Sequence, residues 1–178
     1  MVDIDYFNER KQSSIPFRSY TFEGTYSAVE QLAGIDQSVY VNQGKSVRTE
    51  GGIWLTTEGL RECSPLFIKN RNSSESYLAH MMGLRLFDQQ QRELRKLSSG
   101  DYDVFAVISQ SSLVSSVTLS GVDSSFVPDL KAIGIQPHFV GDIAIDLPNS
   151  SFGVAFNPDS SLLKVATLRN SKVMEFHV

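Results

Sequence analysis

From Ser38 onward the apolar residues fall in short runs separated by Gly, Asn, Asp and Ser, which is the spacing of a β-rich domain. The runs predict strands near Val39–Asn42, Ile53–Thr57, Pro65–Lys69, Tyr77–Met82, Val104–Ser109, Ser116–Leu119, Gln136–Val140, Phe152–Phe156, Leu162–Leu168 and Lys172–His177. Two segments between them read as helices. Asp88–Leu97 has Asp88 as a cap, Gln91 three positions on, and a Glu93 able to pair with Lys96. Ser125–Ile133 tolerates Pro128 in its first turn, turns Val127, Leu130 and Ile133 inward, and stops at Gly134. Strand runs broken by two short helices imply an α+β fold of β-sandwich type, not the regular alternation of a doubly wound sheet. Residues Met1–Gln37 are patterned differently, with aromatic residues among polar ones and a short helical stretch at Ser27–Ala33 ended by Gly34. They read as an N-terminal extension ahead of one domain, Ser38–Val178.

Composition narrows the possibilities. The chain has 178 residues, 41% of them hydrophobic, enough to bury a core. With 16 Lys and Arg against 20 Asp and Glu the formal charge is −4, and no basic cluster supplies the footprint of a nucleic-acid binder. The start, MVDIDYFNERKQSS, lacks the apolar stretch of an export signal, and no segment reaches the roughly 18–20 apolar residues of a membrane span. The expectation is a protein of the producing cell's cytoplasm with no membrane partner, and signals of specialised secretion systems are invisible to this reasoning. The single cysteine, Cys63, excludes an internal disulfide and any multi-cysteine metal site.

A lone cysteine in an apolar setting is ordinarily inert packing, and becomes a nucleophile only when a partner takes its proton. Candidate partners flank it. Thr57 ends the predicted strand IWLTT six positions earlier, and Cys63 follows through the loop EGLREC, whose amides could converge on an oxyanion. His80 lies seventeen positions later in YLAHMM, where alternation groups Leu78, His80 and Met82 on one face and Tyr77, Ala79 and Met81 on the other. If the strands of Thr57 and His80 are neighbours, hydroxyl and ring can meet above the thiol. His138 and His177 have no comparable partner and read as structural or surface residues. Asp103, Asp142 and Asp146 read as turn residues without chemistry. Trp54, Phe67, Phe105, Phe152 and Phe156 read as core.

The segments VYVNQGKSVRTEGGIWLTTEGLREC, PLFIKN and SYLAHMM together resemble the chemoreceptor glutamine deamidase family CheD. That family shows a strand ending in Thr, a Cys six residues on, and a His seventeen residues after that; Thr57, Cys63 and His80 match all three positions. The downstream stretch from Val122 to Leu168 is similar to the family's second half, so the resemblance covers roughly residues 39 to 168. It implies the sandwich shared with the cytotoxic necrotizing factor toxins, a Cys-His-Thr site, no cofactor and no metal, and a reaction on glutamine side chains of proteins. Arg61-Glu62 stands where the family has Gly-Ser, Tyr77-Leu78-Ala79 precedes His80 in place of glycines, and SQSSLVSS replaces a Gly- and Phe-rich substrate loop. These departures imply a substrate other than a chemoreceptor.

The leading expectation is therefore a cysteine-dependent protein-glutamine deamidase, with a variant in which it is a bacterial effector delivered into another cell. The alternatives are a catalytically inactive protein-binding module of the same fold and a transglutaminase-like thiol enzyme. Oligomeric state is not legible.

Overall fold

The computed structural model describes residues 12–14, 28–60, 63–82, 85–109, 130–145, 151–167 and 172–178. Its elements in chain order are β1 (Gln12–Ser14), α1 (Ala28–Ala33), β2 (Ser38–Tyr40), β3 (Ser46–Thr49), β4 (Trp54–Leu60), β5 (Cys63–Asn70) and β6 (Ser76–Met82). They continue with α2 (Asp88–Leu94), β7 (Gly100–Ser109), β8 (Ile135–Ile145), β9 (Phe152–Asn157), β10 (Leu162–Thr167) and β11 (Lys172–His177), and residues 130–132 are helical. The chain is α+β, as its pattern implies.

Among the described residues the strands form a six-stranded sheet, ordered β1-β11-β10-β9-β4-β2, and a five-stranded sheet, ordered β3-β6-β5-β7-β8. Period-two alternation explains the layering, because each strand sends one set of side chains to each face. Leu55, Leu60, Phe152, Val154, Phe156, Leu163 and Val165 of the first sheet meet Cys63, Phe67, Leu78, Phe105 and Val107 of the second in a central core. Phe67 stacks on Phe105 at 5.0 Å, and Phe156 meets both rings edge-on at 5.2 Å, so an aromatic triad closes the two sheets on each other.

Each outer face has its own cover. Val29, Leu32 and Ala33 of α1 lie on Ala155, Ala166 and Val173. The close fit rests on Gly153, where a Cβ would stand 2.8 Å from Val29 Cβ. On the other side Leu94, Leu97 and Leu130 cover Leu66, Ile68, Tyr77, Ala79, Met81 and Ile135. Glu75, 4% exposed, ties this layer together: it accepts from Arg48 Nε at 2.6 Å, from the Tyr102 hydroxyl and from the Ser98 N–H. Burial pushes its carboxyl up, but the hydrogen bonds from Tyr102, Arg48 and Ser98 prevail and hold it below the usual carboxylate range.

Several expectations need correction. The strand of Thr57 does not end there but runs to Leu60, and Cys63 is the first residue of β5, not the end of a loop. A bulge between Thr57 and Leu60, with Gly59 at φ +74°, inserts one residue so that both side chains still face the core. The α2 cap is Phe87, not Asp88; its N–H donates to Gln90 Oε1, so the register of the capping pair is one residue earlier than expected. The expected Glu93–Lys96 pair forms at 2.6 Å. Asp103 and Asp142 lie within β7 and β8, not in turns, because the long parallel ladder between those strands overrides the local turn preference of Gly141-Asp142. His138 has a partner after all, Asp101 at 3.0 Å, and both side chains are about half exposed. The edge strands β1 and β3 are not anticipated by the short polar segments that form them. The expected strand Ser116–Leu119, residues 125–129 of the expected second helix, Arg61, Glu62 and Asp146 lie outside the described residues. Among the described residues no helix is long and apolar enough to cross a membrane.

Candidate active site

The site is assembled between the sheets. Thr57, fully buried on the inner face of β4, reaches across the sandwich to His80 on the inner face of β6, with Oγ1 2.8 Å from Nδ1. The meeting expected between neighbouring strands thus takes place between strands of opposite sheets. Thr57 Oγ1 also lies 2.7 Å from the backbone carbonyl of Val41.

That second contact determines the ring's proton. A hydroxyl has one hydrogen to give, and a carbonyl oxygen can only accept, so Thr57 spends its hydrogen on Val41. It must then accept from His80, which places the imidazole proton on Nδ1 and leaves the lone pair on Nε2. His80 is 2% exposed, and Nε2 has no hydrogen-bond partner among the described residues. Burial pushes the imidazole below its ordinary value, so the resting ring is neutral and Nε2 keeps an open lone pair.

Strand register brings the thiol to the same face. In the antiparallel pair β5–β6, Cys63 stands opposite Met82 and Pro65 opposite His80. Cys63 and His80 are therefore diagonal neighbours on the core side, a relation that places Cα atoms about 7–8 Å apart, and no hydrogen bond joins Sγ to Nε2. Pro65 is accommodated because the ladder from β5 to β7 begins only at Leu66, so its missing N–H lies beyond that pairing. Cys63 is 9% exposed, whereas Met82 across from it is 51% exposed, so the thiol lies just beneath the surface at the end of its strand.

Two further residues were not found by sequence reasoning. Gln43, in the turn between β2 and β3, donates from Nε2 to Cys63 Sγ at 3.6 Å. The turn is fastened to β6 by two backbone bonds, Gly44 N–H to His80 O at 3.1 Å and His80 N–H to Lys45 O at 3.0 Å. Gly44 has φ +72°, the left-handed region that glycine enters without strain. Gln90, fully buried on α2, then donates to the carbonyls of both Lys45 and His80 at 2.9 Å while its own carbonyl accepts from Phe87. The Gln-Gly pair signals a turn, but nothing local shows which side chain the turn aims at the thiol, since that depends on contacts between segments far apart in sequence.

The arrangement therefore holds a buried neutral imidazole, its tautomer set by hydroxyl and carbonyl, on the same face of the sheet as the thiol. Among the described residues no group of three or more His, Cys, Asp or Glu is arranged to hold a metal ion. His177 is exposed on β11, away from these contacts. No protein-family model matches the chain, and no curated protein matches it.

Proposed function

We propose that the protein is a cysteine-dependent glutamine deamidase of the CheD-like kind, acting on a protein other than a chemoreceptor. The observation that carries this reading is the Thr57–His80 hydrogen bond with Thr57 also bound to the Val41 carbonyl, because it leaves an unpaired, unprotonated Nε2 on the face that carries Cys63. Most buried ring nitrogens are hydrogen-bonded, which sets His80 Nε2 apart among the described residues.

In this reading His80 Nε2 takes the Cys63 proton as Sγ attacks the carboxamide carbon of a glutamine side chain. The C=O electron pair moves onto oxygen. It returns as the C–N bond breaks, with His80 giving its proton to the departing ammonia. The thioester is then attacked by water, whose proton passes through His80 back to sulfur, so that glutamine and water become glutamate and ammonia. Thr57 and the Val41 carbonyl keep Nδ1 protonated throughout, and no metal or cofactor takes part. Two exposed apolar side chains lie near these residues in the fold, Met82 opposite Cys63 in the β5–β6 ladder and Phe87 against Gly44. The substrate meets the enzyme in the producing cell's cytoplasm or in a cell into which it is delivered.

The test is a proteome-wide search for Gln-to-Glu mass changes that appear with the wild-type protein and vanish with Cys63→Ser. Adducts of an added primary amine at glutamine would instead indicate transglutamination, and no Cys63-dependent change in any exposed proteome would overturn the reading.

A further inference from the structure

We infer that Gln43 is a catalytic residue of this site: its side-chain amide is the donor that stabilises negative charge on Cys63 Sγ when the thiol gives its proton to His80. The inference rests on the deamidase reading for its purpose but on separate contacts for its content. Gln43 Nε2 already lies against the sulfur, at 3.6 Å, and an amide N–H directed at a thiolate favours the charged form. Sγ–H breaks, Nε2–H of His80 forms, and the two electrons left on sulfur face the Gln43 N–H. Both the product imidazolium and the thiolate are then stabilised by fixed groups, one through Nδ1 to Thr57 and Val41, the other through Gln43.

The placement of Gln43 is over-determined in a way that packing alone does not require. Its side chain is exposed in a polar turn and buries little of itself, yet the turn is pinned to the strand of His80 at Gly44 and Lys45. The buried Gln90 amide clamps the carbonyls of Lys45 and His80 together. Donor and base are thereby held on one rigid unit, so that moving one moves the other. Exposure at position 43 means that a substitution there leaves the core untouched.

The experiment is the pH dependence of Cys63 alkylation by iodoacetamide in the full chain, measured for wild type, Gln43→Met, Gln43→Glu and His80→Ala, with thermal unfolding of each. Gln43→Met keeps length and removes the donor; the alkylation profile is expected to move to higher pH, slowing the reaction at neutral pH by about tenfold, with the melting temperature unchanged. Gln43→Glu, which can only accept and adds charge, is expected to move it further in the same direction. If both profiles coincide with wild type while His80→Ala shifts its own, Gln43 has no such role and the deamidase reading stands. If His80→Ala also leaves the profile in place, the activated-thiol reading itself fails, and a shift in the Gln43 variants alone would assign thiolate stabilisation without a base.

Discussion

Thr57 illustrates how one hydroxyl can determine the chemistry of another residue, since its single hydrogen is committed to the Val41 carbonyl and its lone pair to His80. Thr57→Ser should preserve this, whereas Thr57→Val removes both bonds and leaves the buried carbonyl and Nδ1 unsatisfied, costing about 1–3 kcal/mol in urea unfolding and slowing iodoacetamide alkylation of Cys63. His80 makes a pH prediction at the same scale. Burial holds the folded imidazole below its ordinary value of about 6.5, so on acidification the unfolded chain binds the proton first. Stability contributed by the neutral ring is complete above about pH 6.5 and drains as pH falls through that value towards the folded one. His80→Gln should flatten this part of the stability curve in denaturant titrations at successive pH values. The candidate residues were legible as types and spacings, and His80 lies on its expected strand, whereas Cys63 opens a strand where a loop was expected and Thr57 lies within its strand, not at its end. Gln43 and Gln90 were not legible, because a glutamine's role depends on which distant atom its amide meets.

At the scale of elements, the apolar run PLFIK predicted its strand, and the alternation in YLAHMM predicted both its strand and the grouping of its side chains, because period two is imposed by the backbone itself. Boundaries moved where pairing outweighed local preference: β4 continues past Thr57 through a bulge, and β8 runs through Gly141 and Asp142 beside β7. The bulge depends on Gly59 at φ +74°, with open space around a would-be Cβ, so Gly59→Ala should cost about 1–2 kcal/mol from backbone strain alone. Gly153→Ala differs in mechanism. Its Cβ would meet Val29 Cβ at 2.8 Å and lift α1 from the sheet, and a loss of about 1–3 kcal/mol in thermal or denaturant unfolding is expected.

The whole molecule is a four-layer stack in which α1 and α2 seal the outer faces of two sheets and the site lies between the inner ones. Glu75 joins β3, β7 and the segment after α2, and its carboxylate is held charged by those bonds. Its contribution is present above the unfolded value of about 4.3 and is lost as pH falls through the lower folded value. Glu75→Gln should therefore lower stability by about 1.5–3 kcal/mol at neutral pH and narrow its gap to wild type in acid. By itself the sequence determined the α+β character, the positions of most described strands and the three residue types of the candidate site, because these follow from local periodicity and short spacings. Only the tertiary structure decided that Thr57 and His80 meet from opposite sheets, that Val41 fixes the imidazole tautomer, and that Gln43 faces the thiol. Those outcomes depend on how two separately patterned sheets stack, and no local pattern carries the register of one sheet against another.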